Sequence, residues 1–148
     1  MAYHDDLLDQ AQHLARRDTN RPKQANLRRA VSTAYYALFH LLVSEAVGYW
    51  RVERHRELLA RSFEHGKMKN ACKGCKIQNA EIEAIAEAFV GLQQARHTAD
   101  YDNSKVWTKF EAMTHIEGAK IALEKWDMVK NQDVAQDFLL SLFVSERR

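Results

Sequence analysis

The stretch from Asn26 to Gly48, NLRRAVSTAYYALFHLLVSEAVG, constrains the fold more than any other part of the sequence. From Val31 to Val47, apolar or aromatic residues fall on every face of a helix, and a helix that is apolar all round is normally buried. The stretch has no glycine or proline before Gly48, and Pro22 lies just upstream, where a helix start tolerates proline. We therefore expect the central helix of an all-α bundle here.

Amphipathic segments on both sides of this stretch supply the other helices of the bundle. A good N-cap, Asn79, is followed by acidic residues and then by apolar residues at helical spacing. The segment between Tyr49 and Gln78 is the least regular part, and we expect a long, partly helical connection there. The further predicted helices span about His4 to Arg17, Arg54–Phe63, a long segment after Asn79, Lys105 to about Lys130, and Asp133–Val144, which opens with a capping-box-like Asp133 and Gln136.

The size and composition of the chain favour one helical domain over residues 1–148. It has one proline and five glycines, and a chain of 148 residues can bury a core without disulfides or metals. The N-terminus lacks the apolar core of a signal peptide, and no stretch approaches the roughly 20 apolar residues of a membrane span. Both cysteines lie within CKGC, unlike those of secreted disulfide scaffolds. We expect a cytoplasmic protein with reduced thiols and no membrane partner.

Charge is unevenly distributed, although the net charge is only +2. One basic region runs from Arg16 to Arg29 and a second from Arg51 to Lys76, whereas acidic residues collect from Glu81 onward. The small net charge does not by itself demand a nucleic-acid partner. The two basic regions indicate either a one-sided phosphate-binding surface or ordinary solvated helix faces.

Two polar motifs stand out against this helical background. The first is STAYYALFH, from Ser32 to His40, and the second is RHTADYD, from Arg96 to Asp102, at the end of a later helix. Together with the FEHG segment that contains His65, they make the chain resemble the HEPN family, helical-bundle proteins of prokaryotic toxin–antitoxin, defence and RNA-processing systems. The resemblance covers most of the chain and rests on the combination of the motifs.

The resemblance implies an antiparallel up-and-down bundle of about five helices that forms a homodimer, with the later motif facing the dimer cleft. It also implies an RNA or nucleotide ligand and, for a member of a toxin–antitoxin or defence module, a nucleotidyltransferase-like partner protein. No cofactor is implied, because many members are metal-independent ribonucleases with an Arg, four to six intervening residues and a His. Such a pair suits RNA cleavage, since imidazole can move the 2′-hydroxyl proton and guanidinium neutralises the phosphate.

By this resemblance Arg96 would hold a phosphate, His97 would act as the acid or base, and Asp100 would orient Arg96. The residues expected to bind the ligand are Tyr35, Tyr36, His40, Asp100 and Tyr101.

The sequence nevertheless departs from the ribonuclease pattern of the family. Five residues after Arg96 stands Tyr101 rather than a histidine, and His97 is about 100° from Arg96 around the helix. Two-fold symmetry could bring His97 of one subunit near Arg96 of the other. Pairs such as Arg96 with Asp100 can also be structural i,i+4 contacts. Three hypotheses stay open: RNA or nucleotide binding, a metal-independent ribonuclease with a rearranged site, and a non-catalytic interaction module.

The two cysteines allow a second site hypothesis. Cys72 and Cys75 supply two thiols, and a zinc site of four ligands would also need His55 and His65 to fold back onto them. The alternative is two solvent-near thiols in a loop. No metal site is therefore assigned.

The tryptophans are a third feature with two interpretations. Trp50, Trp107 and Trp126 can stack on a nucleic-acid base where basic residues are near, or can cover the edge of a core or an interface. The sequence has no P-loop, no dinucleotide-binding glycine fingerprint and no GxSxG elbow, which excludes nucleotide hydrolases and dehydrogenases of those designs.

Overall fold

The computed structural model describes residues 2–144, and over this range its regular secondary structure is all α-helical, as predicted, with no strand. The last residues of the expected 1–148 domain and Met1 lie outside the described residues. The described helices are α1 (Tyr3–Arg16), α2 (Gln24–Val47), α3 (Glu53–Arg61), α4 (His65–Lys73), α5 (Ala80–Tyr101), α6 (Lys109–Val129) and α7 (Asp133–Ser141).

The helix α2 is the centre of the bundle, as its all-round apolar sequence predicts. It packs most extensively against α1, α5 and α6 and more lightly against α3 and α7. Among the described helices only α2 has the length and hydropathy to cross a membrane, but 72% of its most apolar stretch is buried inside the protein. Packing by the other helices therefore accounts for its apolar composition.

Specific contacts give the direction of the four long helices. Tyr3 at the start of α1 lies 5.0 Å from the His40 ring, well along α2, and Arg28 near the start of α2 bonds to Ala99 near the end of α5. Both α1 and α5 therefore run antiparallel to α2. Gln24 bonds to Trp107, just before α6, so α6 runs in the direction of α2. One continuous cluster of buried apolar side chains fills the space between these helices.

The structure contains seven helices in its described part rather than about five. The helix that the sequence did not predict is α4, whose two glycines resemble loop punctuation. Gly66 lies in its first turn with open space around it, and Gly74 is the residue that ends it. Cys72 is therefore buried within a helix, and the expectation of two solvent-near thiols in a loop is wrong for it.

The helix ends show where a capping residue in the sequence predicted the start of a helix correctly and where it did not. Asn79 caps α5 as predicted, since its side chain accepts a hydrogen bond from the Ile82 amide at 3.0 Å. In contrast, α6 begins at Lys109 rather than at Lys105, because Thr108 and Glu111 form a reciprocal capping box.

At α7 the expected cap is also wrong. Asp133 lies inside the helix, Gln132 is the N-cap residue without a side-chain bond, and the helix ends at Ser141 rather than at Val144.

Candidate functional site

An open cleft of about 540 Å³ lies between the first half of α2 and the C-terminal end of α5. Arg28, Ser32 and Tyr36 are spaced four residues apart, so they occupy neighbouring positions along one side of α2. The last turn of α5 contributes the opposite wall. We call this site the α2–α5 cleft; its lining residues are Ala25, Arg28, Arg29, Ser32, Tyr36, Ala99, Asp100 and Tyr101.

The guanidinium of Arg96 lies behind the wall of the cleft and is held from several sides. One of its terminal nitrogens donates to the Tyr36 hydroxyl at 2.8 Å, and Nε lies 3.0 Å from the Asp100 carboxylate. Its central carbon is 5.3 Å from the centre of the Tyr36 ring and 5.9 Å from those of Tyr35 and Tyr101, within cation–π range. The cationic group is therefore fixed in place before any ligand binds.

The ion pair between Arg96 and Asp100 is close but poorly directed. Although Nε and the carboxylate oxygen are 3.0 Å apart, the buried Nε–H does not point well enough to make a hydrogen bond, and it finds no other partner in the described residues. The same carboxylate oxygen accepts from the Ser32 hydroxyl at the long distance of 3.4 Å. Asp100 is thus attracted to Arg96 electrostatically without being fully engaged by it.

Arg28 ties the N-terminal part of α2 to the end of α5. Its guanidinium donates to the backbone carbonyls of Ala99 at 2.9 Å, Asp102 at 2.8 Å and Lys105 at 2.5 Å. Carbonyls at a helix C-terminus lack intrahelical partners, so a fork of N–H donors suits them. The three acceptors carry no net charge, and the positive charge of Arg28 therefore stays available to the cleft.

The electrostatic balance of the α2–α5 cleft is positive. Arg29 is exposed, and neither it nor Arg28 forms an ion pair with any carboxylate between residues 2 and 144. The cleft's own carboxylate, that of Asp100, faces Arg96. An anionic group that entered the cleft would meet two arginines and the hydroxyls of Ser32 and Tyr36.

Comparisons with protein-family models, with curated proteins and with solved structures found no match for this chain. The chemistry of the α2–α5 cleft therefore follows from its own residues and from the two sequence motifs, Ser32–His40 and Arg96–Asp102, that line it in part.

A partly buried aromatic network lies behind Tyr36 and Arg96. The Tyr35 hydroxyl and Nδ1 of His65 are joined by a 2.6 Å hydrogen bond, and the His65 ring stacks on Phe39 with centroids 4.3 Å apart. Burial raises the pKa of Tyr35, so its hydroxyl stays protonated. Burial lowers the pKa of His65, and the nearby charge of Arg96 lowers it further. This network therefore favours a neutral imidazole at neutral pH.

The predicted site residues divide into two groups. Tyr36, Asp100 and Tyr101 line the cleft. Tyr35 is fully buried, and the His40 ring packs against Tyr3, so neither of these two side chains lines the cleft. Tyr35 belongs instead to the aromatic network behind the cleft, and His40 lies at its side, with its ring beside those of Tyr36 and Phe39. Partial burial lowers the pKa of His40.

Tyr101 lies near both of the predicted catalytic residues, Arg96 and His97. His97 is exposed, and its ring lies 5.0 Å from the Tyr101 ring, which is itself 5.9 Å from the Arg96 guanidinium. Tyr101 is 65% exposed. Within one chain, His97 therefore approaches the cleft only at the side of this tyrosine.

Arg28 and Arg29 were not among the predicted site residues, although a signal for Arg28 exists in the sequence. The four-residue spacing of Arg28, Ser32 and Tyr36 on one helix matches the four-residue spacing of Arg96 and Asp100 on another. What the sequence does not contain is the pairing of these two faces, which the packing of α2 on α5 provides.

The zinc hypothesis gains no support. The described residues contain no group of three or more His, Cys, Asp or Glu side chains placed to hold a metal ion. Cys72 is a buried free thiol whose pKa is raised to about 12 by burial, and His65 is bonded to Tyr35. A protonated buried thiol is a core residue rather than a reactive one.

The three tryptophans differ in how far their side chains are exposed. Trp107 and Trp126 are 5% and 0% exposed and belong to the core, whereas Trp50 is 53% exposed.

Proposed function

We propose that this chain is a HEPN-type protein that binds RNA or nucleotide phosphate in the α2–α5 cleft. The observation that carries the proposal is the fixed charge of Arg28 beside exposed Arg29, because three neutral carbonyls orient the first guanidinium and no carboxylate of residues 2–144 forms an ion pair with it. A preorganised guanidinium loses little freedom when it binds a phosphate. The exposed ring of Tyr101 at the edge offers a surface on which a base can stack.

Arg96 and Asp100 have a supporting role in this proposal. The Arg96 guanidinium is held behind Tyr36 and is too enclosed to be the first group that a phosphate meets. It contributes positive potential and fixes the Tyr36 hydroxyl as a donor toward the cleft, since that oxygen already accepts from Arg96.

The binding experiment uses uridine monophosphate as the probe of the cleft. Arg29→Ala should weaken binding of uridine monophosphate by about tenfold or more, since a charge-assisted hydrogen bond contributes roughly 1.5–3 kcal/mol. Lys120→Ala, which removes an exposed cation from α6, is the matched control and should leave binding unchanged. Equal binding by the wild type and Arg29→Ala would refute the role of the cleft.

We further propose that two copies of the chain complete the site. Val106 and Phe110 are 71% and 81% exposed beside the cleft, and monomers seldom leave two large apolar side chains so fully uncovered so close in the chain. Cover by a second copy would place the two clefts next to each other and bring His97 close to the partner's cleft. Phe110→Glu should then convert a dimer to a monomer in sedimentation, whereas Met128→Glu, at an exposed position farther along α6, should not.

A second candidate function is metal-independent RNA cleavage. The observation that favours it is the position of Tyr101, which lies between the predicted phosphate-binding residue Arg96 and the predicted acid or base His97. Purified protein would be incubated with RNA in excess EDTA, and cleavage should disappear in both Arg96→Ala and His97→Ala. Binding without cleavage leaves the RNA- or nucleotide-binding function, and the lack of both indicates a non-catalytic interaction module.

In a toxin–antitoxin or defence module the chain would act beside a nucleotidyltransferase-like protein. The exposed cleft edge at Tyr101 and His97 is the part of the site that such a partner could reach. Co-purification of the two proteins, abolished by substitution of Tyr101 but not of exposed Lys120, would test this assignment.

A further inference from the structure

The helix α3 differs from every other helix of the described chain because none of its residues is fully buried. It packs lightly on the end of α2 and carries three arginines in nine residues. The turn before it exposes Tyr49 and Trp50 by 60% and 53%, and Leu58 on the helix is 62% exposed. These side chains have no function in the core and none in the α2–α5 cleft.

The exposed groups on α3 are arranged in order along one side. Arg54, Leu58 and Arg61 have the i, i+4, i+7 spacing that places residues on one helical face. All three are exposed, and so is Arg51 one turn before Arg54. We call Tyr49, Trp50, Arg51, Arg54, Leu58 and Arg61 the α3 surface.

The arginines of the α3 surface are free to bind an external anion. No carboxylate among residues 2–144 forms an ion pair with Arg51, Arg54 or Arg61. The surrounding segment strengthens the effect, because residues 51–76 contain eight Lys or Arg against three Glu, whereas the rest of the chain is net acidic. The positive potential of the protein is therefore concentrated around α3 and α4.

The backbone that presents Trp50 is fixed. The Arg56 side chain donates to the carbonyls of Trp50 at 2.8 Å and Arg51 at 2.9 Å, and the Trp50 amide donates to Val47. The indole also packs edge-on against the His55 ring at 6.4 Å. An exposed indole on a fixed turn, next to unpaired arginines, is suited to stack on a base while the arginines contact the flanking phosphates.

We infer that the α3 surface binds single-stranded nucleic acid, with Trp50 stacking on a base and Arg51, Arg54 and Arg61 contacting the backbone. Unstacked bases are required for such contacts, so single strands are preferred to a duplex of the same length. The contact is independent of the α2–α5 cleft, which lies along the opposite half of α2. The cleft residue nearest to that end of α2 is Tyr36, which lies 12 residues before Gly48, or about 18 Å away at a rise of 1.5 Å per residue.

Binding at the α3 surface can be followed by the intrinsic tryptophan fluorescence of the protein. Because Trp107 and Trp126 are buried, a ligand on the α3 surface should quench mainly the fluorescence of Trp50. A 12-nucleotide oligouridylate should quench wild-type emission at low salt. Trp50→Ala should weaken its binding, measured by anisotropy of a labelled strand, by about tenfold, as expected when one stacked base is no longer held.

Arg54→Gln with Arg61→Gln should also weaken binding and should reduce the slope of log K against log salt by about 1.4, or 0.7 for each phosphate that the variant no longer neutralises. The control with the same change of charge is Arg16→Gln with Lys120→Gln, at exposed positions on α1 and α6. All these residues are exposed, so the variants should remain folded by circular dichroism.

Three results would overturn the inference. If the oligonucleotide does not quench the fluorescence of the wild type, no base stacks on Trp50. Emission that shifts to the blue with phosphatidylserine vesicles, but does not respond to the oligonucleotide, indicates an anionic membrane surface instead. A duplex that binds as tightly as the single strand, with no weakening in Trp50→Ala, indicates contact with phosphates alone. Arg29→Ala separates this test from the cleft proposal, because it should weaken uridine monophosphate binding without changing the quenching of Trp50.

Discussion

The α2–α5 cleft and the α3 surface are both rich in arginine, but they hold their arginines in opposite ways. In the cleft, Arg28 is bonded to three carbonyls, and Arg96 is bonded to Tyr36 and packed among tyrosine rings. On the α3 surface, Arg54 and Arg61 are exposed and unpaired with any described carboxylate. Only the turn that presents Trp50 is fixed there.

The two arrangements are suited to different kinds of recognition. Fixed guanidinium groups favour one ligand geometry, because their hydrogen-bonding directions are set before binding. Exposed arginines on a lightly packed helix can follow a flexible strand, but they bind mainly through charge and are screened by salt. The cleft is therefore suited to selectivity, and the α3 surface is suited to holding a polymer of variable sequence.

The largest expected effect is on stability and distinguishes arginines that hold the fold from arginines that do not. Arg28→Ala should lower the free energy of unfolding by about 2 kcal/mol, because it leaves carbonyls at the end of α5 without their charged donor. Arg54→Ala, at an exposed position on α3, should change it by less than about 0.5 kcal/mol. Urea denaturation measures both.

Arg28→Lys sharpens this test. A lysine keeps the charge but cannot donate to three carbonyls in the fixed geometry of the guanidinium fork, so its stability should fall between those of the wild type and Arg28→Ala. Full stability in Arg28→Lys would mean that charge alone, and not the fork, holds the end of α5.

The second expected effect is on the salt dependence of binding. Raising salt from 50 to 200 mM should weaken oligouridylate binding at the α3 surface by about 20-fold, if three phosphates are contacted. Uridine monophosphate in the cleft should be weakened less, because a mononucleotide carries no condensed counterion atmosphere and presents a single phosphate. Titrations of Arg29→Ala with the oligonucleotide and of Trp50→Ala with the mononucleotide isolate the two sites, and equal salt slopes would abolish the distinction between them.

The third expected effect compares two tyrosines of the cleft. Tyr36→Phe should reduce stability by about 1 kcal/mol, since the Tyr36 hydroxyl accepts from the Arg96 guanidinium at 2.8 Å. Tyr101→Phe should change stability by less than about 0.5 kcal/mol, because its side chain is 65% exposed. Thermal denaturation of both variants would test whether the stabilising contacts lie behind the cleft, at Tyr36 and Arg96. A larger loss of stability in Tyr101→Phe than in Tyr36→Phe would contradict this.

The central helix and most of the bundle could be predicted because their signals are local. The all-round apolar sequence of α2 and the N-cap at Asn79 each act within a few residues. The helix α4 was missed for a physical reason: its glycines weaken helix propensity, and burial of Met68 and Cys72 against the core outweighs that cost.

The candidate site could be predicted only in part. Tyr36, Asp100 and Tyr101 were chosen by the motifs and do line one cleft. Tyr35 precedes Tyr36 in the sequence, yet it faces the interior, and a motif of consecutive letters does not separate the two. The role of Arg28 depends on carbonyls 71 to 77 residues away, so it follows from the packing of α2 on α5 and not from any local pattern.

The smallest expected effect is a pH dependence that comes from three partly buried histidines, two of which lie behind the cleft. Burial lowers the pKa of His65, with further contributions from Arg96 and His40, and burial also lowers the pKa values of His40 and His115. The unfolded chain therefore binds more protons than the folded one once the pH falls through the unfolded value, near 6.5. Stability should be highest above this pH and should decrease as the pH falls toward the lower folded pKa values.

Urea denaturation at pH 7.5, 6.5 and 5.5 measures this decrease, and His65→Gln should reduce it because one of the contributing histidines is removed. His13→Gln, at an exposed position on α1, serves as the control and should leave the decrease as it is in the wild type. An unaltered pH dependence in His65→Gln would mean that His65 can be protonated without cost beside Arg96. In that case the imidazole would be mobile enough to leave Tyr35, and the rear of the cleft would be as adaptable as the α3 surface.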